Sequence, residues 1–175
     1  MFPRTRRSAV LAAVTVVAAA VLPATAARAT APTDGADTKA PESTVTRAEV
    51  LQRADFWVRE AVPYSQRHSY RDPQGAKYRA DSSGYASMAW HLPTSLTTRT
   101  LPTVSHRITK DELRPGDVLL NPDQHVVIFA GWADKKRSSY LAYEQTPPHA
   151  QRHTLPYPYY RHDKEYLPYR YNGVK

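Results

Sequence analysis

The chain has 175 residues, a formal net charge of +8 and no cysteine. Without cysteine there is no disulfide framework, so the stability of the fold must come from an ordinary hydrophobic core. We find no basic helix, zinc-finger spacing or aromatic RNA-binding motif, so nothing indicates a nucleic-acid-binding protein.

The first 29 residues have the three-part layout of a secretory signal peptide. A short basic start up to Arg7 precedes an apolar run from Ser8 to Leu22, and small residues suited to cleavage follow Pro23. The apolar run is too short to span a membrane comfortably, and no later stretch approaches the required length. We therefore predict a secreted protein that makes no membrane contact after the signal is removed. The Arg6-Arg7 pair leaves a twin-arginine export route open beside the general one.

Removal of residues 1–29 lowers the net charge from +8 to +4, because this segment contains four arginines and no acid. A modestly basic surface suits anionic polymers such as a bacterial wall and is too weak for a nucleic-acid footprint. Residues 30–45 have almost no large apolar side chain, which predicts a disordered leader. The remaining residues, 46–175, are enough for a single domain.

A first helix is predicted to begin after Thr46, because Thr46 and Glu49 have the spacing of a capping box. An apolar stripe continues to about Ala61, and Pro63 ends the helix. Tyr64 follows directly. Taken alone, its side chain fits a tyrosine packed half-buried against the end of the helix.

The polar run Asp81-Ser82-Ser83-Gly84 opens directly into apolar residues at helical spacing, so it is predicted to start a second helix. That end of a helix carries unpaired N–H groups and partial positive charge, which stabilise an oxyanion and favour an ionised nucleophile. Asp and Ser are also the preferred residues of an ordinary helix cap. The stretch taken alone fits both a nucleophile turn and a plain cap.

Residues 93–110 are typical of a loop with one short strand. Pro115-Gly116 then forms a turn that delivers Asp117 and a β-favouring apolar run. We expect Asp117 to fix this turn through hydrogen bonds with the backbone and give it no catalytic role.

The clearest strand runs from His125 to Trp132, after a tight turn at residues 121–124. An imidazole at the start of a strand, beside a nucleophile at a helix start, is the arrangement that general-base activation requires. A lone histidine at a strand edge is more commonly a surface residue, so the neighbouring motifs decide its interpretation. The next strand is predicted over 140–146 and contains Glu144 and Gln145, which face opposite sides of the sheet. Taken alone, Glu144 there fits an exposed acid on an edge strand.

The tail from Pro147 onward contains six of the twelve tyrosines, interleaved with cations. Such aromatics either form a wall for sugars or peptides or build one or two closing strands, and we favour the strands. His149 and His153 are four residues apart, but no cysteine or acid completes a ligand set. We therefore predict no metal site in this segment.

Taken in order, these motifs resemble the NlpC family of papain-like cell-wall peptidases. Asp81-Ser82-Ser83-Gly84-Tyr85 matches the family's Asp-Cys-Ser-Gly-aromatic signature, with serine in place of the nucleophilic cysteine. Pro63-Tyr64, the Leu-x-Pro-Gly-Asp run of 113–117 and the His-Val-Val-Ile start of the 125–132 strand match further family motifs. The Gly-Gly that usually follows Pro-Tyr in the family is absent here. An amidase group with an Asp-Cys-x-Asn-Phe signature is a weaker match.

The resemblance implies an α+β fold of papain-like NlpC type over residues 46–175, with N-terminal helices packed on a small antiparallel sheet or half-barrel. It also implies a secreted, cell-wall-associated hydrolase of peptidoglycan peptides that acts as a monomer without metal or other cofactor. The implied catalytic residues are Ser82, His125 and Glu144, of which Glu144 would orient the histidine ring. Gln145 takes that place instead if the register shifts by one residue. The residues implied to contact the substrate or its oxyanion are Tyr64, Ser83 and Asp81.

Ser82 is the main departure from the family. A cysteine thiol has a reference pKa of about 8.5, whereas a serine hydroxyl is barely ionised near neutral pH and depends wholly on its base. The chain is therefore either a Ser-His-Glu hydrolase or a family member that has lost its chemistry and binds wall peptides in the retained cleft. A third interpretation, an engineered inactive mutant, is opposed by the complete signal peptide.

Overall fold

The computed structural model of the protein describes residues 43–161 and 164–175. The predicted signal peptide and residues 30–42 of the predicted leader lie outside these ranges. The last three leader residues, 43–45, lie within them and are not disordered: Val45 is buried and its backbone pairs with Val174. The predicted leader boundary is therefore wrong by three residues, because the buried Val45 side chain and hydrogen bonds of both Ser43 and Val45 tie this short polar stretch to the domain.

The first helix, α1, spans Arg47–Arg59. The predicted capping box is confirmed, since the Thr46 hydroxyl accepts from the backbone N–H of Glu49, whose side chain accepts in return from the Thr46 N–H. The helix ends two residues before the predicted Ala61, which adopts a left-handed φ of 46°. One stripe of the helix is buried against the rest of the domain, and its apolar members are Val50, Ala54 and Trp57.

A short hairpin connects α1 to the second helix. Its strands are β1, Ser69–Arg71, and β2, Lys77–Arg79. The second helix, α2, follows immediately over Ser82–Ala89, and all eight of its residues are buried. Only glycine fits at position 84, because a Cβ atom there would overlap the backbone carbonyl of Arg79.

Six strands form one antiparallel sheet. They are β3 Ser105–Arg107, β4 Val118–Asn121, β5 His125–Trp132, β6 Ser139–Gln145, β7 Ala150–Pro156 and β10 Leu167–Tyr171. Their spatial order is β3-β10-β4-β5-β6-β7. A separate small hairpin is made by β8, Tyr160–Arg161, and β9, Lys164–Glu165. The chain is thus an α+β protein with its helices before the main sheet, and the predicted strand from His125 to Trp132 is confirmed in full.

The turn before β4 is fixed as predicted for Asp117. Gly116 has a φ of 93°, and the Asp117 carboxylate accepts from the backbone N–H of Arg114 at 2.8 Å. The fully buried carboxylate also binds the guanidinium groups of Arg47 and Arg170, at 3.0 and 2.8 Å. This acid therefore joins α1, the turn and β10, a wider structural role than the sequence indicates.

The two faces of the sheet carry separate hydrophobic cores, because side chains alternate along each strand. The face that packs against α1 and α2 includes Val126 and Ile128 of β5. The opposite face includes Val127 and Phe129 and is covered by Tyr166 from the C-terminal segment. The tyrosine-rich tail thus supplies strands and core packing, as we favoured from the sequence. Within the described ranges, no helix has the length and apolar character required to cross a membrane.

Candidate active site

The turn into α2 is fixed by hydrogen bonds among the side chains of Arg79, Asp81 and Ser83 and the backbone of Gly84. Asp81 caps the helix by accepting from the backbone N–H of Gly84 at 2.8 Å. The guanidinium of Arg79 donates to the other Asp81 oxygen at 2.5 Å and to the Ser83 hydroxyl at 2.8 Å. The side chains of Asp81 and Ser83 therefore hold the shape of the turn, which is the cap function considered from the sequence.

Ser82 differs from its neighbours because its hydroxyl has no hydrogen-bond partner among the described residues. The residue is 7% exposed and is the first residue of α2. The backbone N–H groups of Ser82 and Ser83 also lack an acceptor within that part of the chain. One hydroxyl and two donors are thus available at the positive end of a helix, where they suit an attacking oxygen and a developing oxyanion.

These groups open into a cleft of about 390 Å³. The cleft is lined by Tyr64, Gln66, Arg79, Asp81, Ser82, Ser83, Thr97, Thr98 and Gln124. Its one cation and its one carboxylate are paired with each other, and the other lining side chains are uncharged. Tyr64 lies at the cleft and is partly buried, and its hydroxyl accepts from the Gln66 amide at 3.0 Å. The lining suits a polar, uncharged ligand segment.

A second polar cluster lies on the far face of the sheet, around the carboxylate of Glu144. Its Oε1 binds Nε2 of His125 at 2.7 Å, and its Oε2 binds Nε2 of His153 at 2.7 Å. The Tyr159 hydroxyl donates to Oε1 at 3.1 Å. Glu144 is 3% exposed and His125 is 6% exposed. The predicted contact between Glu144 and the ring of His125 is therefore present.

The charge of Glu144 is stabilised inside this cluster. Burial alone would raise the pKa of the carboxyl group, but the hydrogen bond and charge of His125 outweigh it, with help from His153 and Tyr159. The pKa of Glu144 therefore lies below its ordinary value, and the group is an anion that can only accept hydrogen bonds. Each histidine must then donate through Nε2, so a neutral ring carries its lone pair on Nδ1.

The Nδ1 atom of His125 has no hydrogen-bond partner among the described residues. A buried imidazole whose orientation is fixed at Nε2 and whose basic nitrogen is unoccupied is equipped to take up a proton. Its ring lies 6.3 Å from the ring of Tyr166 and 6.4 Å from that of Tyr159, measured between centroids. These two aromatic rings further restrict the position of the imidazole.

Gln145 points to the opposite face from Glu144 and does not touch His125. Its fully buried side-chain amide donates to the backbone carbonyls of Val62 and Ala80, both at 3.1 Å. These carbonyls belong to the segments that lead into Tyr64 and into the start of α2. Of the two residues considered from the sequence, Glu144 therefore contacts the histidine, while Gln145 ties the two sides of the cleft together.

The serine turn and the residue that precedes β5 border the same cleft. Gln124 immediately precedes His125 and lines the cleft that contains Ser82. The His125 side chain, however, alternates with Val126 and so lies on the sheet face opposite α2. No hydrogen bond joins the Ser82 hydroxyl to the His125 ring in the described part of the chain.

Sequence reasoning missed the roles of His153, Tyr159 and Gln145. The pairing of β6 with β7 places Gln151 directly opposite Glu144, and His153 is its diagonal neighbour on the same face. The alternation of β7 was a usable signal, but it identifies His153 only when the register of this hairpin is known. The sequence gives His153 no role beyond its spacing from His149, whereas the structure pairs it with a carboxylate on the neighbouring strand.

Comparison with protein-family models gives no match for this chain, and a search of curated proteins likewise finds no similar sequence.

Proposed function

We propose that this protein is a secreted, cell-wall-associated hydrolase of peptide-type amide bonds, with an NlpC-type papain-like fold and peptidoglycan stem peptides as substrates. The observation that carries the proposal is the buried His125–Glu144 pair, which leaves the basic Nδ1 of the histidine unoccupied. Such a pair is what a weak nucleophile such as a serine hydroxyl requires, because serine depends on its base for activation. The order of the sequence motifs adds support.

In the proposed reaction the Ser82 hydroxyl attacks the carbonyl carbon of the amide, and its proton passes to Nδ1 of His125. The oxyanion accepts hydrogen bonds from the Ser82 N–H and the Tyr64 hydroxyl. His125 then returns the proton to the leaving amine, which departs and leaves an acyl ester on Ser82. Water, deprotonated by the same ring, hydrolyses that ester. Glu144 stays ionised throughout and stabilises the imidazolium.

This sequence of steps requires the hydroxyl and the ring to approach each other when substrate binds. Catalytic hydrogen bonds are commonly long or absent before the substrate is in place. Because the His125 side chain lies on the sheet face opposite α2, we expect substrate binding to move the start of β5 itself, together with the turn at 121–124, towards Ser82.

A second candidate is a wall-peptide-binding protein without catalytic activity. It is favoured by the absence of a hydrogen bond between Ser82 and His125 and by the serine itself. In this alternative the uncharged cleft holds a peptide segment, and the contacts of Asp81 and Ser83 serve only to shape the turn.

Digestion of purified peptidoglycan separates the two candidates. The wild type should release fragments, and Ser82→Ala and His125→Ala should each reduce the rate by at least about 100-fold. His106→Ala is the matched control, because this exposed histidine bonds to Asn172 and to no other described side chain, so the change should leave the rate unchanged. Fragment release by Ser82→Cys but not by the wild type would identify a site that has lost its catalytic activity. If the wild type and Ser82→Cys both bind peptidoglycan but neither releases fragments, the binding protein is favoured.

A further inference from the structure

The Glu144 carboxylate binds two imidazoles at once, one on each oxygen and both at 2.7 Å. The two histidines differ in access, since the side chain of His125 is 7% exposed and that of His153 is 35% exposed. Nothing in the proposed reaction uses His153. A buried carboxylate needs one good donor for each oxygen, and an asparagine or serine would satisfy that need without a group that titrates near neutral pH.

We propose that His153 is a positioning residue that competes with His125 for protons through their shared carboxylate. Glu144 stabilises the protonated form of His125. When His153 is protonated, its positive charge and its stronger hydrogen bond to the same carboxylate weaken that stabilisation. The partly exposed ring thus sets how readily the buried ring takes up a proton. This role in turnover rests on the proposed function, but the proton competition itself does not.

Among the described residues that bond to Glu144, the two histidines are the ones whose side chains can carry a positive charge. In the described part of the chain, the phenols of Tyr140 and Tyr159 face Glu144, and that of Tyr166 faces His125. Burial is the main cause that raises the pKa of Tyr140, so this phenol remains neutral. Within the described residues, no lysine or arginine pairs with Glu144. The Arg152 guanidinium lies over Tyr143, on the other face of the sheet.

The sign of the effect follows from charge. Replacing His153 by glutamine keeps an N–H donor for Glu144 and removes a ring that can become positive. The remaining imidazole then has the anion to itself at every pH, so it should protonate more readily. A second positive charge across a largely buried carboxylate is expected to lower the proton affinity of the first imidazole about tenfold, which corresponds to about one pH unit.

The experiment is a pH titration of the imidazole ¹H–¹⁵N signals in the full chain. In wild type, the signals of both rings should show two steps, because each ring senses the titration of the other. In His153→Gln the midpoint for His125 should rise by about one pH unit, and in His125→Gln the midpoint for His153 should rise equally, since coupling is reciprocal. His106→Gln is the control and should change neither curve.

Single-step wild-type curves together with an unchanged His125 midpoint in His153→Gln would overturn the proposal. The wild-type curves serve as the test if that variant does not fold. Hydrolysis gives a separate readout: the acidic limb of the kcat/KM profile should move to higher pH by the same amount in His153→Gln. If no form hydrolyses peptidoglycan but the rings are coupled, the proposed function fails and the proton competition stands.

Discussion

At the scale of single residues, the serine turn depends on Gly84 more directly than on the residues around it. The Arg79 carbonyl occupies the space that a side chain would need, so the absence of Cβ lets β2 and α2 approach each other. The same approach brings the Arg79 guanidinium onto Asp81 and Ser83. The glycine of the Asp-Ser-Ser-Gly run is thus explained by close packing, independently of catalysis.

We predict that Gly84→Ala destabilises the protein by about 2 kcal/mol, because either the Arg79 backbone or the start of α2 must move. Gly75→Ala is the matched control: it has open space around it and pays only the strain of a φ of 91°, about 1 kcal/mol. Urea denaturation midpoints of the two variants check this. If Gly84→Ala and Gly75→Ala lose the same amount of stability, the structure around position 84 accommodates the added methyl group without extra cost.

The local features of the site were predictable from sequence, while its non-local contacts were not. The helix start at Ser82 and the strand start at His125 are encoded by caps, turns and alternation within a few residues. The pairing of Glu144 with His153 depends on the register between two strands, which no short stretch determines. The face on which His125 lies likewise follows from the pairing of β4 and β5.

At the scale of elements, one buried arginine ties both helices to the β1–β2 hairpin. Arg53 donates to Asp72 in the hairpin turn at 2.6 Å and to the backbone carbonyl of Met88 in α2 at 2.7 Å. A further guanidinium nitrogen binds Gln74. Asp72 in turn accepts from two backbone N–H groups of the turn. Removal of the acid would leave a charge of α1 buried without its counterion.

We predict that Asp72→Asn costs about 3 kcal/mol of stability at pH 7, because Arg53 loses its counter-charge. Burial by itself would raise the pKa of Asp72, but the hydrogen bond and charge of Arg53 and the turn N–H groups bring it below the ordinary value of 3.8. The stability contributed by the Asp72 charge is therefore fully present above about pH 3.8, and it is lost as the pH falls through the lower pKa that Asp72 has in the folded protein.

Urea midpoints measured from pH 7 to pH 2 should show the gap between wild type and Asp72→Asn narrowing below pH 3.8. Asp123→Asn is the control, because the Asp123 side chain is 74% exposed in its pair with Arg99 and should change stability little at any pH. A gap that stays constant down to pH 2 would mean that the carboxylate charge does not contribute to the difference.

At the scale of the whole molecule, the described domain is closed by its C-terminal segment. Tyr171 of β10 is buried, stacks on Trp90 with ring centroids 5.3 Å apart, and donates to the Ser43 carbonyl at 2.7 Å. The backbones of Val45 and Gly173 are also hydrogen-bonded, at 3.0 Å. These contacts explain why residues just before α1 are held in place although their composition is polar.

We predict that Tyr171→Ala destabilises the domain by about 4 kcal/mol through the lost ring, whereas Tyr171→Phe costs only about 1 kcal/mol for the lost hydrogen bond. Tyr169→Phe provides the comparison within the same strand, since the Tyr169 hydroxyl makes no hydrogen bond with a described residue, and should be nearly neutral. Thermal and urea unfolding of the three variants measure the series. A Phe variant as unstable as the Ala variant would assign the effect to the hydroxyl instead of the stacked ring.

Because β10 lies between β3 and β4, the sheet has a gap until the final strand in chain order is in place. A ribosome delivers the preceding strands first, and during that interval β3 and β4 present unsatisfied backbone donors and acceptors to their surroundings. A nascent chain paused before residue 167 should thus attract chaperones or neighbouring chains, and delivery of β10 is the step that lets the described domain reach its native form.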